Sequence, residues 1–143
     1  MHQRQKNKSS RPDNMPDVVV LCGGLGTRLQ SVVSDRPKVL ADINGTAFID
    51  LLLEWLSIFG FSRIILSIGY KGEMIKNHLT RSTLPLVFSE ESEPLGTGGA
   101  VKKALSLVRT DHFLVVNGDT FCNVEMRDVV HFHVSHKTPL SIV

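Results

Sequence analysis

The chain has 143 residues, a hydrophobic fraction of 42% and a formal net charge of +2, which suits one domain with its own core. No apolar run approaches the roughly 18 residues of a membrane-spanning helix. The two cysteines, Cys22 and Cys122, fit a reducing compartment better than a disulfide framework. We therefore expect a cytoplasmic protein without a membrane or nucleic-acid partner.

The first 14 residues hold four basic residues and one acidic residue, which leaves 12 basic and 13 acidic residues in the rest of the chain. This segment has no apolar stretch, so it is not a signal peptide. A basic arm of this kind can bind nucleic acid or an acidic membrane, but its polar composition favours a disordered tail. We assign residues 1–16 to that tail and residues 17–143 to one folded unit.

Strands and helices alternate along the folded unit. Apolar runs predict strands at 18–22, 63–68, 84–88, 113–116 and 139–143. Helical patterns lie at 47–60, 71–79, 97–108 and 124–136, the last with Asn123 as its cap. This alternation predicts an α/β fold with a mainly parallel sheet and helices on both faces. Pro85 cannot donate a ladder hydrogen bond, which places strand 84–88 at a sheet edge.

The first strand leads into the glycine-rich sequence LCGGLGTRL at 21–29. The connection that contains it, 23–46, is long enough to be functional, and it leaves the carboxyl end of a strand, where α/β folds bind ligands. Glycines let backbone N–H groups approach an anion, and Arg28 adds a planar set of donors for phosphate oxygens. Lys38 is a second basic candidate. A structural glycine turn with two solvated basic residues is the alternative.

Two common phosphate-binding fingerprints do not fit this connection. Gly24 and Gly26 supply the first two glycines of a dinucleotide-binding sequence, but Leu29 stands where the third would be. A Walker A loop needs a glycine–lysine pair at its end, which is missing here.

Two further segments favour nucleotide binding. The sequence EPLGTGGA at 93–100 opens a helix, and helix N-termini attract anions; its glycines also leave room for a flat base. Asn117, Gly118 and Asp119 follow strand 113–116. Asp119 alone would be read as an ordinary turn residue, but beside two glycine-rich segments it becomes a candidate Mg²⁺ ligand, since Mg²⁺ is often held by one or two carboxylates and substrate phosphates.

The segments LCGGLGTRL, RPKVLADINGTAFID, EPLGTGGAVKKAL and FLVVNGDTF resemble the sugar-1-phosphate nucleotidyltransferases in content, order and spacing over residues 17–143. EPLGTGGA with NGDTF is most similar to the heptose 1-phosphate guanylyltransferases of that family. The resemblance implies a Rossmann-like, doubly wound sheet of the nucleotide-diphospho-sugar transferase type. It also implies transfer of a nucleoside monophosphate from GTP to a heptose 1-phosphate, with release of pyrophosphate, for lipopolysaccharide or capsule synthesis.

The same resemblance implies roles for individual residues. Arg28 would stabilise the triphosphate and its leaving group, Lys38 would contact phosphates near the reacting centre, and Asp119 would hold Mg²⁺. The residues expected to line the nucleotide are Leu21, Gly23, Gly24, Gly26, Thr27, Arg28, Gly96, Thr97, Gly98, Asn117 and Gly118.

The chain departs from the family pattern in two places. The family often has Pro-Lys-Pro where this chain has Pro-Lys-Val, with Lys38 retained. Family members also continue past residue 143, through the sugar pocket and a second metal-binding aspartate, so we expect a truncated fold. In the family a later strand separates 113–116 from the strand expected at 139–143. That strand would then lie at an open edge, where self-association is expected.

Two alternatives remain open. A non-catalytic nucleotide-binding module would keep the glycine-rich segments without turnover, and a hexose-1-phosphate nucleotidyltransferase would use another NTP.

Two further patterns give weaker evidence about function. The residues His131, His133 and His136 do not share one helical face, which argues against a zinc site. The acidic run EESE at 90–93 is expected to be solvated.

The predicted role of Arg28 can be measured directly. Arg28→Ala is expected to weaken triphosphate binding far more than nucleoside binding, because it removes a charge-assisted contact worth about 1.5–3 kcal/mol. Titration with a nucleoside triphosphate and with the matching nucleoside measures the difference. Equal losses for both ligands would show that Arg28 supports the fold instead.

Overall fold

A computed structural model describes residues 15–24 and 36–143. Its elements, in chain order, are strand β1 (Asp17–Leu21), the short strands β2 (Asp42–Ile43) and β3 (Thr46–Ala47), helix α1 (Phe48–Ile58), strand β4 (Ile64–Ile68), helix α2 (Gly72–Leu79), strand β5 (Leu86–Glu90), helix α3 (Gly96–Ala104), strand β6 (Phe113–Asn117) and helix α4 (Met126–His136). Short 3-10 turns lie at Lys38–Leu40 and Leu105–Leu107.

The four longer strands form one parallel sheet in the order β5-β4-β1-β6. Strand β5 lies at an edge, as Pro85 predicts, but it begins at Leu86, two residues later than expected, so that the proline precedes the ladder. Strands β1 and β4 are central, and four of the five residues of β1 and all five of β4 are buried. Burial on both faces is typical of central strands in a parallel sheet.

Alternate residues of the two central strands serve two different cores. Val18 and Ile64 belong to the larger cluster, to which α1, α2 and α4 contribute their buried side chains. Val19 and Ile65 face the other way and pack against Ala104 of α3. Helices therefore cover both faces of the sheet, and the predicted α/β architecture is confirmed. No helix in the described ranges combines the length and the apolar character needed to cross a bilayer.

The connection after β1 is more ordered than the sequence indicates. It contains the 3-10 turn at Lys38–Leu40 and the antiparallel pair β2–β3. Asn44 and Gly45 join the pair with φ angles of 53° and 88°, the positive values that a tight hairpin of this kind requires. Within the predicted connection 23–46, the residues from 38 onward therefore form regular structure and lead through the hairpin directly into α1.

The C-terminal expectations are partly wrong. Residues 139–143 form no strand. Leu140, Ile142 and Val143 remain 69%, 86% and 74% exposed. An apolar run becomes a strand only when a neighbouring strand completes its hydrogen bonds, and within the described part of the chain none does so.

The predicted helix limits near the C-terminal end also shift. Helix α4 begins at Met126, and its N-cap is Glu125, whose carboxylate accepts from the Arg127 N–H at 3.4 Å; Asn123 is not the cap. Helix α3 ends at Ala104 and continues as a 3-10 turn, short of the predicted 108.

The N-terminal tail is only partly described. Met15 packs against the larger core cluster and Pro16 is buried, while residues 1–14 lie outside the described ranges. The division of the chain at residue 16 stays a prediction.

Candidate functional site

A cavity of about 320 Å³ opens at the carboxyl edge of the main sheet. Its walls come from the end of β1 and the residues after it, the 3-10 turn, the segment that opens α3, and the end of β6. The predicted site residues that line it are Leu21, Gly23, Gly24, Lys38, Gly96, Thr97, Asn117 and Asp119.

Strand pairing explains why these distant segments meet. In the parallel ladder of β1 and β6, Leu21 lies opposite Asn117. The Gly118 N–H then donates to the Leu21 carbonyl at 2.9 Å. Parallel strands end at the same edge, so the first glycine-rich segment and the sequence NGD leave the sheet side by side.

Gly118 and Gly98 do not line this cavity. Gly118 is buried, and a Cβ there would lie 2.8 Å from both the Cys22 Sγ and the Leu21 carbonyl oxygen. A side chain at 118 would therefore separate β1 from β6, which gives this glycine a packing role. Gly98 is exposed on α3 with open space around its missing Cβ. Contact of either residue with a nucleotide stays a prediction.

Lys38 and Asp119 bring opposite charges to the cavity. Lys38 is half-buried in a 3-10 turn that begins after Pro37, and Val39, which is 3% exposed, anchors the turn in the core. Val39 therefore has a packing role. Asp119 is exposed, and its carboxylate accepts from the Thr120 hydroxyl at 3.3 Å.

The donor set at this edge fits a magnesium ion that shares its coordination with a substrate. Across residues 15–24 and 36–143, no group of three or more histidine, cysteine, aspartate or glutamate side chains is arranged to hold a metal. Asp119 offers one carboxylate and Asn117 one amide oxygen at the cavity wall. Mg²⁺ is commonly held by one or two carboxylates with substrate phosphates and water, and these residues suit that mode.

Three predicted residues, Gly26, Thr27 and Arg28, lie outside the described ranges. Their expected contacts with the triphosphate remain predictions from the sequence.

Comparison with known proteins decides the family. The sequence model described as Nucleotidyl transferase matches residues 17–143. The chain belongs to the nucleotidyl transferase family.

Its similarity is strong towards one group of relatives. The chain is 39% identical over 128 residues to the D-glycero-alpha-D-manno-heptose 1-phosphate guanylyltransferase of Aneurinibacillus thermoaerophilus, covering 88% of this chain and 56% of the relative. It is 43% identical over 110 residues to the protein of the same name from Campylobacter jejuni, covering 76% and 49%. The solved structure of HddC from Yersinia pseudotuberculosis, complexed with GMP-PN, superposes with a TM-score of 0.78 at 42% identity and covers 84% of this chain and 55% of that one. The chain thus spans about half the length of these relatives.

The sequence does not reveal that one acidic residue, Glu91, lines this cavity. Glu91 was expected to be solvated with the rest of its acidic run. Instead it lines the cavity, where its carboxylate accepts from the Ser67 hydroxyl at 3.0 Å and from the Leu95 N–H at 3.1 Å. Ser67 is the residue that indicates such a contact in the sequence, because a hydroxyl in the apolar strand β4 requires a hydrogen-bond partner when buried. The neighbouring Glu90 pairs with Lys76 at 2.7 Å on the surface.

Cys22 forms part of the apolar wall of the cavity. Burial, and secondarily the negative charge of Asp119, raises the pKa of its thiol from 9.0 to about 12. The Cys22 side chain is only 5% exposed, which accounts for most of this rise in its pKa. Cys122 is also a free thiol, but it is exposed.

The two cysteines should therefore react at different rates. The thiolate is the nucleophile, and a pKa of about 12 keeps Cys22 protonated through the neutral and mildly alkaline range. At pH 8, iodoacetamide is expected to label Cys122 rapidly and Cys22 slowly, as measured by mass spectrometry of the corresponding peptides. The urea-unfolded chain is the control, in which both peptides should react similarly. Equal labelling in the folded chain would contradict the buried position of Cys22.

Proposed function

We propose that this chain binds the triphosphate of GTP in the cavity at the carboxyl edge of the sheet, as part of an enzyme that transfers a guanylyl group to a heptose 1-phosphate. One observation carries the proposal: the cavity gathers Gly23, Gly24, Gly96, Lys38 and Asp119 from four separate segments. Relatives at 39% and 43% identity are named for this activity, and the superposed HddC structure holds GMP-PN.

In the proposed reaction, an oxygen of the sugar phosphate attacks the α-phosphorus of GTP. A bond forms between that oxygen and the α-phosphorus, the bond from the α-phosphorus to the bridging oxygen breaks, and pyrophosphate leaves. The barrier is lowered mainly by holding the reactants in line and by neutralising negative charge. The residues of this chain contribute to both tasks.

The first glycine-rich segment and Lys38 are suited to the phosphates. Gly24 carries no side chain and has open space at its missing Cβ, so phosphate oxygens can approach its backbone N–H. The Lys38 ammonium would neutralise charge on the phosphates at the reacting centre, and Arg28 would do so on the leaving pyrophosphate. Asp119 would hold Mg²⁺, which when bound supplies further charge neutralisation and orients the phosphate oxygens.

The start of α3 is suited to the rest of the nucleotide. Gly96 has a φ of 67° and is exposed, and Thr97 lies beside it at the helix N-terminus, where backbone N–H groups lack helical partners. These two residues would lie near the base and ribose. Gly98, one residue further on, would leave the nearby surface of α3 free of side chains.

Location and assembly belong to the same proposal. The free thiols of Cys22 and Cys122 suit a cytoplasmic enzyme. Strand β6 is the last strand of the described sheet, and its residues Phe113 and Val115 are 36% and 38% exposed. An open apolar edge of this kind favours association with another strand, so self-association through β6 is part of the proposal.

A pyrophosphate assay separates the proposed enzyme from its alternatives. The chain is incubated with Mg²⁺, each of the four ribonucleoside triphosphates in turn, and a panel of sugar 1-phosphates. Pyrophosphate release that requires GTP and a heptose 1-phosphate supports the proposal, and release with a hexose 1-phosphate and another NTP supports the hexose alternative. Saturable nucleotide binding without release supports a non-catalytic module.

The role proposed for Lys38 predicts a selective loss. Lys38→Ala is expected to weaken the binding of Mg²⁺–GTP by about tenfold to a hundredfold, because it removes a charge-assisted contact, and to leave guanosine binding unchanged. Isothermal titration measures both affinities. Lys103→Ala removes the same charge from an exposed position on α3 outside the cavity and should bind like the unmodified chain. Equal effects of the two substitutions would contradict this role and show that Lys38 acts only through the overall charge of the protein.

A further inference from the structure

We infer that Glu91 is a positioning residue that sets the distance between Gly23 and the start of helix α3 at the cavity. The inference rests on the proposed function, because it takes the cavity to be the nucleotide site. The Glu91 side chain connects three parts of the protein through fixed contacts and does not touch the nucleotide.

The two carboxylate oxygens of Glu91 hold different segments. Oε1 accepts from the hydroxyl of Ser67, which is 0% exposed in the central strand β4. Oε2 accepts from the backbone N–H of Leu95, the residue that immediately precedes α3. The carboxylate therefore joins the rigid centre of the sheet to the start of the second glycine-rich segment.

The same carboxylate also packs against the first glycine-rich segment. A Cβ at Gly23 would lie 2.9 Å from the Glu91 Oε1 and 3.4 Å from its carboxylate carbon. A Cβ at Gly69 would lie 3.3 Å from the Gly23 carbonyl oxygen. Gly23 thus lacks a side chain because Glu91 occupies that space, which is a different reason from the approach of a phosphate.

The backbone of Glu91 is fixed as well. Its N–H donates to the Ile68 carbonyl at 2.8 Å and extends the pairing of β4 with β5 by one residue. With its Cα held by the sheet and both oxygens held by hydrogen bonds, the side chain has little freedom left. Loss of the carboxylate would therefore have two effects at once. The Leu95 N–H would lose its acceptor, and an empty space would open beside Gly23.

The charge of Glu91 is not suited to a direct phosphate contact. Among residues 15–24 and 36–143, no lysine, arginine or histidine forms an ion pair with it. Both of its oxygens accept hydrogen bonds from within the protein, and a carboxylate repels a triphosphate. Its position is instead explained by hydrogen bonding, which a neutral glutamine can reproduce by accepting from the Leu95 N–H and donating to the Ser67 hydroxyl.

Three variants test the inference: Glu91→Ala, Glu91→Gln and the adjacent surface control Glu90→Ala. Two quantities are measured in each, the Kd for Mg²⁺–GTP and the hydrogen-exchange rate of the Leu95 amide, which requires no nucleotide. Glu91→Ala is expected to raise both by about tenfold or more, the loss expected for a hydrogen bond to a charged group. Glu91→Gln is expected to stay within about threefold of the unmodified chain on both measures, since it retains a neutral hydrogen bond. Glu90→Ala should change neither.

Several outcomes would overturn the inference. Glu91→Ala with unchanged exchange and Kd would remove the positioning role. Glu91→Gln that loses affinity as Glu91→Ala does, while the Leu95 amide stays protected, would show that the carboxylate itself contacts the ligand. If even the unmodified chain binds no nucleotide, the proposed function fails, and the exchange rate of the Leu95 amide alone decides whether Glu91 fixes the segment. Should Glu91→Ala not fold, Ser67→Ala replaces it, with faster exchange of the Leu95 amide expected and an unchanged rate contradicting the inference.

Discussion

Parallel pairing of β1 with its two neighbours is the constraint on which the site depends. The register that sets Leu21 opposite both Ser67 and Asn117 fixes where three chain segments leave the sheet. Gly118 allows β1 and β6 to approach this closely, because a Cβ there would meet Cys22 and the Leu21 carbonyl. The cavity thus forms where the carboxyl ends of these paired strands meet. Glycines line it because the strand ends lie so close together.

The charged side chains described at the cavity differ in their exposure and in their contacts. Asp119 is exposed, and Lys38 is half-buried in a turn that Val39 anchors in the core. Glu91 is held beside Gly23 by two hydrogen bonds. Cys22, whose pKa is raised mainly by burial and then by Asp119, is a buried part of the cavity wall. Within residues 15–24 and 36–143, the cavity wall offers Lys38 and Asp119 to a ligand, while both carboxylate oxygens of Glu91 accept internal hydrogen bonds.

The sequence predicted the parts of the fold whose local pattern and tertiary environment agree. Strands β1 and β4 are apolar on both faces because helices cover both, so their runs were unambiguous. The run at 139–143 is also mainly apolar, yet it forms no strand, since a strand requires a neighbour that composition cannot supply. Glu91 shows the corresponding limit at the site: its acidic surroundings resemble a solvated run, and only the fold brings Ser67 and Leu95 to its carboxylate. The four paired residues of the short hairpin β2–β3 give no periodicity, but its turn residues Asn44 and Gly45 are a sequence signal for a hairpin that the pattern analysis missed.

We propose that a nucleoside triphosphate binds at the carboxyl edge of the sheet, between the residues Gly23 and Gly24 and the start of helix α3. Amide chemical-shift mapping of the ¹⁵N-labelled chain during titration with Mg²⁺ and a non-hydrolysable GTP analogue tests it most directly. The account predicts saturable shifts at Gly23, Gly24, Gly96 and Thr97. Shifts confined to the second cavity, of about 280 Å³ beside the hairpin and α2, where Met74 and His78 lie, would contradict it.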